Sequence, residues 1–187
     1  MTITPAAPLV AAAVLPLETA KLQARVDGND EDQLLESMWL SALRWVETYT
    51  SRSLTLRAWV ATFDGFGWSM RLPVGPVVSV EGVTYRDGGG VSAVLPSGGW
   101  RIAGDVLAAG FGTAWPGVHS GAGAVTVEFT AGYQNVKVDA PELMTAALML
   151  FAHLMNNREA VTAGQVPAEV PFGVEMLCNA YRMPVIG

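Results

Sequence analysis

The chain has 187 residues, 17 Asp+Glu against 11 Lys+Arg for a formal charge of −6, and is 51% hydrophobic with only 15% charged residues. Globular chains carry roughly 25% charged residues, so this one is too apolar for a disordered tail and unusually bare for a folded surface. The acidic balance, with its arginines scattered singly, excludes a protein that grips nucleic acid through a phosphate track. A mean hydropathy of +0.33 raises the question of a membrane segment. Residues 6–17 are broken by Pro8 and Pro16, and residues 146–155 contain His153, so both stretches fall short of the about 20 apolar residues a span needs. No Lys or Arg precedes Lys21, so the start lacks the basic region of a secretory signal, and a protein assembled in the cytoplasm is expected. The single cysteine, Cys178, has no internal partner and reads as a small buried residue. At about 150 residues per domain the length predicts one domain with appendages, and the missing surface charge points to a surface covered by other protein chains.

In chain order, residues 1–16 hold three prolines and no period, which predicts an extended N-terminal arm. A short helix is expected over 17–26. Asn29 followed by Asp30-Glu31-Asp32 reads as a cap and a first turn rich in carboxylates, opening a helix over 30–50. Leu35, Met38, Trp39, Ala42, Val46 and Tyr49 form its apolar stripe, widened by Leu34, Leu43 and Trp45. Between about 55 and 136 the texture changes to alternation: 56–63, 68–72, 77–85, 91–95, 100–103 and 125–130 read as strands joined by Gly- and Pro-rich turns. Sixteen of the 20 glycines lie from Gly65 to Gly132, and charge is sparse there. Such a sheet leaves edges that a partner must cover. Asp139-Ala-Pro-Glu142 reads as the start of a helix over 140–157, with Asp139 as its cap. A Gly/Pro loop and a short helix over 172–181 complete a C-terminal arm spanning 161–187. The fold class is therefore α+β: one domain over 17–160, with a helical core, a central antiparallel β insertion and extended arms at both ends.

No catalytic, cofactor-binding or metal-binding set emerges. The acidic run from Asp27 has Asp32 where a calcium loop needs Gly and Met38 where it needs Glu, so helix capping explains it better. His119 sits in a Gly-rich turn outside any nucleophile-elbow pattern, and His153 lies on an apolar helix without ligands at helical spacing. The glycine clusters match neither a phosphate loop nor a dinucleotide fingerprint. Of the six tryptophans, Trp39 and Trp45 read as core or subunit contact, while Trp68, Trp100 and Trp115, in or near turns, leave a sugar-binding surface open.

The order of several segments carries a resemblance. Pro16-Leu17-Glu18 through Arg25-Val26, Glu31-Asp32-x-Leu34-Leu35, Ala42, and Val46-Glu47-x-Tyr49-Thr50-x-Arg52-x-Leu54 resemble the N-terminal half of the head-to-tail connector (adaptor) proteins of long-tailed bacteriophages and gene transfer agents. Thr130-Ala131-Gly132-Tyr133, Pro141-Glu142, Asn157-Arg158-Glu159, Val170-Pro171-Phe172-Gly173-Val174-Glu175-x-Leu177 and Tyr181-Arg182 follow in the same family order. The resemblance covers about 16–183 and departs from many relatives at Leu22-Gln23-Ala24-Arg25, where they have His-Leu-Arg. It implies a virion protein of the phage neck without catalysis. This would be a structural ring, typically of twelve subunits, that binds the portal above and the stopper or tail subunits below, and lets DNA pass without sequence-specific binding. The resemblance also implies that the C-terminal segment reaches the portal, with Phe172, Leu177, Tyr181 and Arg182 as anchors. Alternatives are another neck or tail-completion subunit and, from the turn tryptophans, a carbohydrate-binding β module.

Overall fold

The computed structural model describes residues 1–26, 28–157 and 170–183. Contacts divide the chain into a β unit, Met1–Pro8 with Leu56–Gly132, and a helical unit, Leu9–Thr55 with Tyr133–Gly187. The expected α+β class, helices with an antiparallel β insertion, is what the chain forms.

The β unit holds β1 (Thr2–Pro5), β2 (Arg57–Phe63), β3 (Ser69–Arg71), β4 (Val77–Arg86), β5 (Ser92–Val94), β6 (Trp100–Ala103), β7 (Val106–Ala109) and β8 (Val125–Ala131). They make a five-stranded sheet in the order β1-β2-β8-β4-β5 and a three-stranded sheet in the order β3-β7-β6, with every pairing antiparallel. β8 lies at the centre of the larger sheet because its alternation is strict: Val125, Val127, Phe129 and Ala131 are buried, while Thr126, Glu128 and Thr130 point away. Across from it Trp59 opposes Phe129 and Ala61 opposes Val127, so the register puts one apolar face inward. Leu72, Val83 and Leu107 join that core. β4 is irregular against β8 at Val77/Ser79 and Val80/Gly82, where the extra residues bend and twist the strand. Gly110 is fixed by space: a Cβ there would fall 2.1 Å from the Gly98 carbonyl oxygen.

Two parts of this unit differ from the sequence expectation. The segment 106–109 has no alternation to read, yet it forms β7, because β3 and β6 flank it on both sides. The expected extended arm over 1–16 is extended at Thr2–Pro5 but turns helical at Ala11–Val14. Thr2–Pro5 pair with β2, Ile3 opposite Ala61, and the proline stands at the outer strand where its missing N–H costs no ladder bond.

The helical unit holds α1 (Ala11–Val14), α2 (Leu17–Ala24), α3 (Asp32–Thr50), α4 (Val136–Asp139), α5 (Pro141–Asn156) and α6 (Phe172–Asn179). The turn α1 forms among the prolines because Leu9, Val14 and Leu15 are buried in the helical core. α3 buries Leu35, Trp39, Ala42, Leu43 and Val46, the stripe its spacing predicts, and packs along α5. Trp39 meets Phe151 edge to face at 5.6 Å, and its indole N–H donates to the Leu15 carbonyl at 3.0 Å. α3 ends in a left-handed residue, Ser51, at φ 55°. Glu47 secures the exit by accepting the Leu54 N–H at 2.7 Å.

Neither predicted cap operates. The Asp139 carboxylate accepts the N–H of Asn135 and closes α4, so α5 starts at Pro141 after Ala140. Asn29 makes no side-chain cap on α3, because its side-chain amide oxygen accepts from Lys21. No helix among the described residues is long and apolar enough to cross a membrane.

Candidate functional site

Three surfaces carry the polar chemistry of the chain. The first is the turn between α2 and α3. Lys21, only 3% exposed, donates to Asp32 at 2.6 Å, to Asn29 at 2.8 Å and to Glu18 at 3.5 Å. The hydrogen bond that Lys21 donates to Asp32 raises the lysine pKa above its ordinary 10.5, against the desolvation that lowers it. Part of the acidic run therefore holds a buried cation. Val26, Gly28, Asp30, Glu31 and Leu35 line a notch on the same turn. A lysine inside the expected helix over 17–26, followed by carboxylates about ten residues on, was the available sequence signal.

The second surface is the C-terminal segment. Its anchor residues divide into two kinds. Phe172 is 79% exposed, and Met176, one turn later on α6, is exposed beside it. Leu177 instead packs against the helical core, next to Val174 and Cys178, which are fully buried. The Tyr181 hydroxyl donates to Glu142 on α5, and its carbonyl accepts the Arg52 guanidinium at 3.0 Å. That hydroxyl holds the Glu142 carboxyl below its ordinary value, helped by the Glu142 amide, while the same bond pushes Tyr181 up to about 12. Arg182 lies over the Tyr49 ring at 5.1 Å, with Trp45 stacked on that ring at 4.7 Å. Met183 is buried, and its N–H reaches the Thr50 carbonyl. Residues 170–183 are thus fastened to α3 and α5. Burial pushes the Cys178 thiol up to about 11, with Glu175 adding to it, which keeps it protonated.

The third surface belongs to the smaller sheet, and sequence reading did not assemble it. Ser69 opposes Ala108, which opposes Arg101; Arg71 opposes Val106, which opposes Ala103. Opposed residues share a face, so these six make the outer face while Met70, Leu107 and Ile102 turn to the core. Arg101 reaches over the ring of Phe111 at 4.8 Å. Phe111 is 88% exposed and Trp68, adjacent to Ser69, is 96% exposed. Trp115 is not a free platform. It stacks on Phe66 at 4.5 Å and donates its N–H to the Gly67 carbonyl at 2.8 Å. Trp100 packs against the β core.

Among the described residues no group of three His, Cys, Asp or Glu side chains is placed to hold a metal ion. His119 is exposed in its loop, and His153 Nδ1 lies 3.3 Å from the Asn157 amide.

No protein-family model matches the chain, and no curated protein matches it in sequence. Solved structures do match. A chain in the virion of a native gene transfer agent particle is 25% identical with a TM-score of 0.78, and the match covers 100% of this chain and 98% of that one. A chain in the neck of the empty particle, computed with C6 symmetry, is 24% identical with a TM-score of 0.79 over the same shares. A chain in the neck of the native particle, computed with C12 symmetry, is 25% identical with a TM-score of 0.76, again over the same shares. The whole fold is shared, end to end.

Proposed function

We propose that the protein is a structural subunit of the neck of a gene transfer agent or related tailed particle, and within it the head-to-tail connector. The observation that carries this reading is the likeness over the whole of this chain to chains of gene transfer agent virion and neck structures. The C12 and C6 symmetries of those necks support a closed ring of this chain. A ring needs two different faces per subunit, and a chain with 15% charged residues has the bare surface to provide them. In the connector role the ring sits under the portal, receives the stopper or tail subunits, and leaves a channel for DNA. Its work is adhesion and positioning rather than catalysis.

The portal contact is carried by the C-terminal segment. Phe172 and Arg182 present the binding side chains, while Leu177 and Tyr181 hold the segment on α3 and α5. Removing the segment would therefore damage the fold as well as the contact, so point substitutions are the cleaner probe. The deciding experiment is electron microscopy of the protein alone and co-expressed with the portal subunit of its own particle. Rings seated on the portal are expected, with Phe172→Ser lowering their yield at unchanged thermal stability. A strict monomer under both conditions overturns the connector role, and rings that bind tail-tube subunits instead of portal make the chain a tail-completion subunit.

A further inference from the structure

The smaller sheet and the α2–α3 turn have complementary chemistry. On the sheet, Arg71 and Arg101 stand on one outer face with Ser69, Ala103, Val106 and Ala108 between them. Neither arginine has a carboxylate partner among the described residues. Trp68 and Phe111 project into solvent at one end of that face. Trp, Phe and Arg are the residue types enriched where proteins bind one another, because they bring large contact area and directional charge at low entropic cost. A monomer gains nothing from holding two such rings in water.

On the helical unit, Glu18, Asp30, Glu31 and Glu36 are exposed around the α2–α3 turn. Of the two cations at this turn, Lys21 is buried and committed to Asp32 and Asn29, and Arg25 is exposed at the end of α2, where the four exposed carboxylates outnumber it. The notch here has an apolar side, Val26 and Leu35, and an acidic rim, Asp30 and Glu31. An aromatic ring carrying a guanidinium fits this arrangement: the ring meets the half-buried Val26, and the guanidinium meets the carboxylates.

We propose that the Trp68/Phe111/Arg101 end of the smaller sheet of one copy docks on the acidic α2–α3 turn of a second copy. This names the subunit contact of the ring and rests on the ring reading. Because the two patches differ, each copy offers one and receives the other, a head-to-tail contact of the kind from which cyclic assemblies are built. Two arginine faces would repel one another, which disfavours a two-fold dimer through this surface. DNA is the other anionic candidate, but two arginines beside exposed apolar rings make a poor phosphate track, and the chain as a whole is acidic.

The test is sedimentation of the full-length protein across a concentration series at low ionic strength, where charge-driven contacts are strongest. Arg71→Glu/Arg101→Glu is expected to weaken self-association about tenfold or more, and Asp30→Arg/Glu36→Arg to do the same. An equimolar mixture of the two double variants is expected to regain association, because the intact turn of one meets the intact sheet of the other and the two altered patches form a charge-reversed pair, while each variant alone faces like charge. Unchanged melting temperatures for both variants keep a folding defect apart from a contact defect. Wild-type association that neither double variant weakens overturns the contact and leaves the ring intact. A monomeric wild type overturns the contact, and the ring is then judged on the microscopy above. Loss of duplex-DNA retention with self-association unchanged assigns the arginine face to DNA and also overturns it.

Discussion

The two units spend their aromatic residues in opposite ways. In the helical unit Trp39 and Phe151 are fully enclosed, and α3 and α5 close over them. In the β unit Trp68 and Phe111 stand in water, although the unit has its own core that includes Trp59, Leu72, Val83 and Phe129. Charge divides as well: the acidic run lies on the helical unit, and the smaller sheet shows arginines without acids on its outer face. The lesson is that stability and adhesion are carried by different residues here. Substitutions within the helical core should cost folding, and substitutions on the sheet rim should cost assembly alone.

The largest expected effect is therefore at Trp39. Trp39→Ala removes the edge-to-face contact with Phe151, leaves the Leu15 carbonyl without its donor and opens a cavity between α3 and α5. Large-to-small changes of this kind cost about 3–5 kcal/mol, a sizeable share of the stability of a small domain. Chemical denaturation should show a collapse of the helical transition. A change below about 1 kcal/mol would break the comparison, since it would mean that the enclosed aromatics of the helical unit are no more stabilising than exposed ones.

An intermediate effect is expected from the fastening of α6. Glu142 titrates below its ordinary 4.5 because Tyr181 donates to its carboxylate. The unfolded carboxyl takes up its proton first as pH falls, so the contribution is complete above about pH 4.5 and is lost below it as the folded carboxylate protonates in turn. Tyr181, pushed up to about 12 from 10.0, gives the opposite limb: its contribution holds up to pH 10 and is lost as pH rises through 12. Hydrogen exchange of the Phe172–Asn179 amides should quicken at both extremes in the wild type. In Tyr181→Phe the two limbs should flatten, and unchanged limbs would show that the segment is held by Leu177 and Met183 without this bond.

The parts of the fold that were legible in the sequence are those where one chain segment decides its own structure. The 3.6-residue stripe of α3 and the alternation of β8 each needed nothing from elsewhere. The failures share a cause, which is dependence on a distant partner. The strand at 106–109 exists because two other strands flank it, and Thr2–Pro5 is a strand because β2 is there to pair with it. Asn29 and Asp139 are good caps by propensity, but Lys21 captures the first and the Asn135 amide the second. Phe172, Leu177, Tyr181 and Arg182 could be named from the sequence as proposed contact residues, but their division into exposed and packed side chains required α3 and α5 to be in place. The rim of Trp68, Arg101 and Phe111 was hidden for the same reason: only strand register brings positions so far apart to one face.

The smallest effect on stability belongs to that rim, and it is the sharpest probe of the comparison. Trp68→Ser and Phe111→Ser remove almost wholly exposed side chains, so the expected change in unfolding free energy is within about 0.5 kcal/mol, far below that of Trp39→Ala. Phe111 also shields one side of the Arg101 guanidinium, so its loss frees that arginine without unpairing a buried group. If the rim serves only adhesion, the double variant should melt with the wild type and yet fail to enter rings. A double variant that melts well below the wild type would mean that the exposed rings stabilise the sheet itself. The division of labour between the two units would then be wrong at the place where it is most specific.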